Sequence, residues 1–114
     1  MSELQDIGRF RFHDGKHEEF KRLSAQAMEI VRAKDTGTLQ YEIYFSEDQS
    51  ECIVLERYRD SEALLEHAAN LGELGAAILA TGLVSSELLG EPSAELRAQL
   101  ADSPVRLLTS FLSM

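Results

Sequence analysis

Cys52-Ile-Val-Leu-Glu-Arg-Tyr-Arg-Asp-Ser-Glu-Ala-Leu-Leu-Glu-His67 is a strand that turns directly into a helix. Cys52, Ile53, Val54 and Leu55 are apolar and partly β-branched, the composition of a strand covered on both faces. The pattern loosens from Glu56, and Asp60-Ser61 marks a helix start. Either side chain can accept from an unpaired first-turn N–H, and Glu62 adds negative charge where the helix dipole favours it. Beyond it Ala63, Leu64, His67, Ala68 and Leu71 fall on one side, the spacing of a stripe facing a core. Tyr58 sits at the corner and His67 two turns on, so this unit is where a site is expected.

Working outward, Thr38 to Phe45 reads as a strand with Leu39, Tyr41, Ile43 and Phe45 on one face. Ser46 to Ser50 is a polar turn short enough to join it to the Cys52 strand as a hairpin. Before them, Arg9-Phe-Arg-Phe-His13 alternates strictly and predicts a first strand, ended by Asp14-Gly15. Lys16 to Lys34 is an amphipathic helix on Phe20, Leu23, Ala27, Ile30 and Val31. Asp35-Thr36-Gly37 stops it, with glycine available for a left-handed residue.

After the His67 helix, Gly72 and Gly75 interrupt an apolar helical segment, which predicts a break or a second short helix. Leu83 to Leu89 is a further strand, Ala94 to Ala101 a short helix opened by Glu91-Pro92-Ser93, and Val105 to Leu112 a last alternating strand.

The order β-α-β-β-α-β-α-β contains the split βαβ, or ferredoxin-like, plan: an α+β fold with an antiparallel sheet and both helices on one face. The C-terminal helix and strand are an addition to it, and residues 1–114 read as one domain. Several strands are apolar on both sides, so the sheet face away from the helices is an association surface. A two-fold homodimer that packs these faces together is expected, the last strand crossing to the partner's sheet edge.

The net charge of −9 argues against nucleic acid or an anionic membrane as partner. The polar run Met1 to Asp6 has no apolar core for a leader, and no stretch approaches the roughly 20 apolar residues that span a bilayer. Cys52 is the only cysteine, which precludes an intrachain disulfide and suits the reducing cytoplasm.

Metal, phosphate and nucleotide motifs are lacking. His13 and His17 are four apart, but Gly15 and a strand-to-helix turn lie between them, which reads as surface rather than a metal pair. His67 on an apolar helix face is either a hydrogen-bonded core residue or a proton-transfer group in a cleft. Tyr58, Tyr41 and Tyr44 are packing groups or donors. Arg9, Arg11 and Arg57 with Glu42 and Glu56 form a cross-strand ion network, or one arginine holds an anionic ligand. The candidate site is His67 and Tyr58 as catalytic groups, with Tyr41, Glu56, Arg57 and Leu64 as substrate contacts.

Gly15-Lys-His-Glu-Glu-Phe20, Gly37-Thr-Leu-Gln-Tyr-Glu42, Val54-Leu-Glu-Arg-Tyr58 and Ser61-Glu-Ala-Leu-Leu-Glu-His67 together resemble the antibiotic biosynthesis monooxygenase family. Gly90-Glu-Pro-Ser-Ala-Glu-Leu-Arg97 is similar to a C-terminal stretch of its bacterial members, so the likeness runs from about Arg9 to the end. It implies a ferredoxin-like subunit paired into a dimeric α+β barrel. It also implies oxidation of phenols or quinols by molecular oxygen without metal, flavin or other cofactor. The family's oxygenases carry Asn-x-x-x-Trp at the strand-to-helix corner, where this chain has Val54 and Tyr58. Its haem-degrading members use Asn, Trp and His; here Gly8 stands at the first-strand asparagine and His67 at the tryptophan, which argues against haem cleavage. Three functions are carried forward: a cofactor-independent monooxygenase of a small phenolic, quinol or polyketide-like molecule; an isomerase or decarboxylating enzyme on the same scaffold; and a non-catalytic small-molecule-binding dimer.

Overall fold

The computed structural model describes residues 3–114; Met1 and Ser2, the first residues of the stretch expected to lack a leader, lie outside the described residues. The chain runs β1 (Leu4–Phe12), α1 (His17–Lys34), β2 (Thr38–Phe45), β3 (Glu51–Tyr58), α2 (Ser61–Leu71), α3 (Glu73–Leu79), β4 (Gly82–Leu89), α4 (Ala94–Leu100) and β5 (Arg106–Leu108). The sheet order is β2-β3-β1-β4-β5. The first four strands pair antiparallel and β5 joins β4 in parallel. The α+β, ferredoxin-like plan expected from the sequence is therefore present, on a sheet that is mixed at one edge.

Rows across this sheet follow from the register. Tyr41 on β2 stands opposite Glu56 on β3, Glu56 opposite Asp6 on β1, and Asp6 opposite Leu88 on β4. Strand side chains alternate between faces, so this row and those containing Val54, Gly8, Cys52 and Phe10 all point to the helices. Two apolar clusters result. Phe10, Cys52 and Val54 pack with Phe20, Leu23 and Ala27 of α1 and Ile78 of α3. Leu4 and Leu88 pack with Leu96 of α4, flanked by Leu64, Leu65, Leu100 and Val105. The polar row lies between them.

Local chemistry sets the element ends. Asp60 caps α2 by accepting from the Ala63 N–H at 2.9 Å. Ser93 caps α4 by accepting from Leu96 N–H at 3.2 Å, while its own N–H donates to Ser61 Oγ at 2.8 Å and ties α4 to α2. Gly72, at φ 51°, separates α2 from α3 in a conformation that side chains with a Cβ resist.

Five expectations are corrected. β1 begins at Leu4 rather than Arg9, because Leu4, Asp6 and Gly8 continue the alternation of Phe10 and Phe12 toward the helices. Gly37 is not left-handed; it is needed for space, since a Cβ there would lie 2.5 Å from the Ala63 Cβ of α2. Leu39 leaves the face it was expected to share, lying half exposed where the β2–β3 register shifts. The last strand is three residues long instead of running from Val105 to Leu112, and it pairs with its own β4 rather than a partner. Within one copy β3 is covered by the helices on one face, where Cys52, Val54 and Tyr58 are buried, while Ile53 on the other face is 38% exposed.

The open face carries ion pairs different from those expected. Arg9 and Arg106 both reach Glu87 at 3.3 Å, and Arg57 lies 3.9 Å from Glu3. Glu56 takes no part, because it points to the other face. Among the described residues no helix is long and apolar enough to cross a membrane.

Candidate functional site

Between the helices and the polar row lies a cavity of about 470 Å³, the size range of small-molecule sites. Its floor is Asp6, Gly8, Val54, Glu56 and Tyr58 from the sheet, and its walls include Tyr41, Leu64 and His67. Ala68, Gly72, Ala76 and Leu79, at or beside the α2–α3 break, line it while remaining exposed, so the cavity opens to solvent there. The break that the two glycines impose on the helical segment is thus the mouth.

His67 is held from behind. Its Nδ1 lies 2.8 Å from Asp35 Oδ2, and Asn70, one turn further along α2, donates to Asp35 Oδ1 at 2.8 Å. Thr38 donates its hydroxyl to Asp35 Oδ2 at 2.6 Å. Burial pushes the Asp35 carboxyl up, but these hydrogen bonds from Thr38, Asn70 and His67 outweigh it and hold it below the ordinary value. An ionised carboxylate only accepts, so Nδ1 of His67 carries a proton and donates it, which leaves Nε2 directed to the cavity side. Nε2 is 3.6 Å from Glu56 Oε1, beyond hydrogen-bond length.

Glu56 is the hub of the floor. The Tyr58 hydroxyl donates to its Oε1. Burial pushes the Glu56 carboxyl up to about 8, reinforced by the negative charges of Asp6 and Asp35 and opposed by the Tyr58 hydrogen bond. Burial likewise raises Asp6 to about 6. Near neutral pH the floor therefore retains a carboxylic acid able to give a proton. The Tyr58 and Tyr41 hydroxyls are raised by burial first, then by the neighbouring carboxylates, so both are donors rather than bases. The two rings flank the imidazole, with centroids 5.3 Å (Tyr58) and 5.5 Å (Tyr41) from it.

Of the residues singled out in the sequence, Tyr41, Glu56, Tyr58, Leu64 and His67 meet around this one cavity. Arg57 does not: it follows Glu56 on the strand, so it points to the open face and toward Glu3. Asp6, Asp35 and Asn70 were missed. Asp6 is visible in hindsight as the polar member of Leu4-x-Asp6-x-Gly8-x-Phe10, and Asn70 as the i+3 neighbour of His67. Asp35 gives no such signal, because a residue past a helix end is placed by tertiary packing.

The Cys52 thiol is buried in the apolar cluster, which pushes it up to about 12 and leaves it a packing group. Among the described residues, no group of three or more His, Cys, Asp or Glu is arranged to hold a metal ion.

Comparison with known proteins gives the fold a wider setting. MupZ from Pseudomonas fluorescens superposes with TM-score 0.86 at 22% identity, over 100% of this chain and 94% of that one, so the likeness includes α4 and β5. Rv0793 from Mycobacterium tuberculosis superposes with TM-score 0.68 at 26% identity, over 81% and 97%. SnoaB, a cofactor-independent oxygenase from Streptomyces nogalater, does so with TM-score 0.67 at 18% identity, over 82% and 97%. No curated protein matches the chain. Residues 6–72, which hold Asp6, Tyr41 and Glu56, the Asp35–His67 pair and α2, match the model of antibiotic biosynthesis monooxygenases. The chain belongs to the antibiotic biosynthesis monooxygenase family.

Proposed function

We propose that this protein is an enzyme that transforms a small, largely apolar molecule by proton transfer, with His67 as the base and Glu56, hydrogen-bonded to Tyr58, as the acid. The observation that carries the reading is the meeting of two separate pairs, His67 held by Asp35 and Glu56 hydrogen-bonded to Tyr58, on the wall and floor of the cavity of about 470 Å³. Two titratable groups with separated environments at one apolar site are the usual division of labour between general base and general acid. Tyr41 and Leu64 bound the substrate from the side.

The chemistry favoured by this arrangement is non-oxidative. The Glu56 acid gives a proton to a substrate oxygen while His67 Nε2 takes one from a neighbouring carbon or hydroxyl, so the substrate is rearranged with no net change of oxidation state. Isomerisation or an addition–elimination step fits better than decarboxylation, because the residues lining the cavity include no Lys or Arg to hold a carboxylate substrate. The resemblance puts Val54 and Tyr58 where the family's oxygenases carry asparagine and tryptophan, and Gly8 and His67 where its haem-degrading members carry them.

Family membership and the likeness to SnoaB favour a second reading, cofactor-independent oxidation of a phenol or quinol. There His67 would take the hydroxyl proton and the electron-rich ring would reduce molecular oxygen, one oxygen atom entering the product and the other leaving as water. Incubation of phenolic, quinol and cyclic carbonyl candidates with and without air separates the two. Equal product under argon supports the acid–base enzyme. Turnover that requires oxygen, with stoichiometric uptake at an oxygen electrode, overturns it in favour of oxidation. Binding without product in either atmosphere supports the non-catalytic dimer instead. The reading includes a homodimer packed through the open sheet face and a cytoplasmic setting, where the Cys52 thiol stays reduced.

A further inference from the structure

We infer that Asp6 and Glu56 act as one carboxyl pair that takes a neutral oxygen of the substrate, a hydroxyl, ether or carbonyl, and excludes anionic ligands. This rests on the proposed function only in using the same cavity, and it names the substrate class.

The pair is built by the sheet. Asp6 on β1 and Glu56 on β3 stand directly opposite each other in the antiparallel ladder and point to the same face. Side chains so placed have Cβ atoms about 5 Å apart. Glu56 has its partner in Tyr58, but Asp6 Oδ1 is buried and has no hydrogen-bond partner among the described residues. Across the cavity, Ser24 Oγ of α1 is buried and unpartnered as well. Both residues line the cavity. Leaving a buried polar atom unmatched costs about 1–3 kcal/mol, so unmatched atoms facing a common space are acceptors and donors for what fills it.

The groups that face the pair are acidic or neutral. They are Tyr41 from β2, Tyr58 from β3, Ser86 and Leu88 from β4, Ser24 from α1, and His67 from α2, whose imidazole is already matched to Asp35 at the end of α1. No Lys or Arg lines the space. Two carboxylates there cannot both stay ionised without mutual repulsion, and one proton between them relieves it. Burial raises both carboxyls, and the Asp6 charge raises Glu56 further, which makes Glu56 the member that holds the proton. The pair then offers one O–H donor and one carboxylate acceptor. A substrate hydroxyl satisfies both, and a carbonyl or ether oxygen takes the donor. A carboxylate, phosphate or phenolate meets a negative charge with no cation to offset it.

The test is a binding titration of the full-length protein near pH 7 with 2-naphthalenemethanol and 2-naphthoate, which share a ring system and differ in charge. The alcohol is expected to bind at least about tenfold more tightly, the scale of an uncompensated like-charge contact. Asp6→Asn is expected to admit naphthoate and shrink that preference to about threefold or less. Glu56→Gln retains the Asp6 charge, so it should still reject naphthoate while weakening the alcohol; it also serves if Asp6→Asn fails to fold. Equal affinity for both probes in the wild type, or an unchanged preference in folded Asp6→Asn, overturns the carboxyl pair and leaves the cavity as a ligand site. Binding of neither probe overturns the pair and the proposed function together.

Discussion

Thr38, His67 and Asn70 converge on one carboxylate, Asp35, whose side chain is almost wholly buried. Its role is to fix which imidazole nitrogen faces the cavity. Asp35→Asn keeps the volume but replaces an obligate acceptor by a group that also donates, so the tautomer of His67 is no longer dictated. We expect kcat to fall by about 10²–10⁴-fold, the range of general acid–base catalysis, with KM little changed. Asp35→Ala should also cost about 1–3 kcal/mol of stability by stranding three partners. Steady-state kinetics and denaturant unfolding check the two halves separately, and a loss confined to stability would make His67 a packing residue. Glu56 gives a second prediction at this scale. In the fold it keeps its proton to about pH 8, and the unfolded carboxyl loses its own near 4.5. Between these values the folded chain binds more protons than the unfolded chain, so stability falls as pH rises through the window. Asp6 adds to the fall between 3.8 and about 6. Asp35 has the opposite sign: its contribution is present at neutral pH and is lost as pH drops through its depressed value. Calorimetric melting from about pH 5 to about pH 8.5 should show Tm declining, and Glu56→Gln should flatten the slope.

The elements that carry the site were legible to different degrees, for physical reasons. α2 announced itself through Asp60, Ser61 and the apolar spacing that ends on His67, and the β2–β3 hairpin through alternation about a polar turn. These are local signals, and local chemistry settles them. β1 was only half legible, since Asp6 and Gly8 look like loop residues until a sheet places them on the covered face. The same blindness hid the carboxyl pair, whose two members are 50 residues apart and meet only through strand order. β5 was overread because Leu107, Leu108, Phe111 and Leu112 suggest burial, yet they lie outside both clusters and remain exposed. The element-scale prediction concerns the approach of α2 to the β2 edge. A Cβ at Gly37 would overlap the Ala63 methyl group and come within 3.3 Å of the Arg59 guanidinium. Gly37→Ala should push the start of α2 outward and cost about 1–3 kcal/mol, as overpacking does in a tight contact. Because Arg59 N–H also donates to Gly37 O at 2.8 Å, the shift would loosen the corner that presents Tyr58. Ala63→Gly in the same chain should restore part of the loss, and unfolding curves of the single and double variants test the coupling.

For the molecule as a whole, the sheet has one face under the helices and one without cover. On the open face Tyr44 is 57% exposed, Ile53 38% and Leu83 66%, with Ile7 and Leu55 beside them. Tyr44 and Ile53 are paired across β2 and β3, and Arg9, matched to Glu87, lies next in the same row. The result is an apolar strip with a satisfied ionic border, the make-up of an interface rather than of a solvated sheet. In the proposed homodimer this face packs against its own copy about a two-fold axis, which closes the assembly at two chains. Ile53→Asp places a carboxylate between Tyr44 and Arg9 in the strip, where the proposed interface would have to bury its charge. Sedimentation velocity should then show the wild type at twice the chain mass and the variant at the single mass. The cavity is formed from the other face and from helices of the same copy, so the monomeric variant should still bind 2-naphthalenemethanol within about threefold of wild type, a difference under about 1 kcal/mol. Loss of binding with loss of the dimer would mean instead that the second copy holds β1 and β3 in the register that brings Asp6 and Glu56 together. The wild-type melting temperature should rise with protein concentration and the variant's should not, because only a chain stabilised by association carries that dependence.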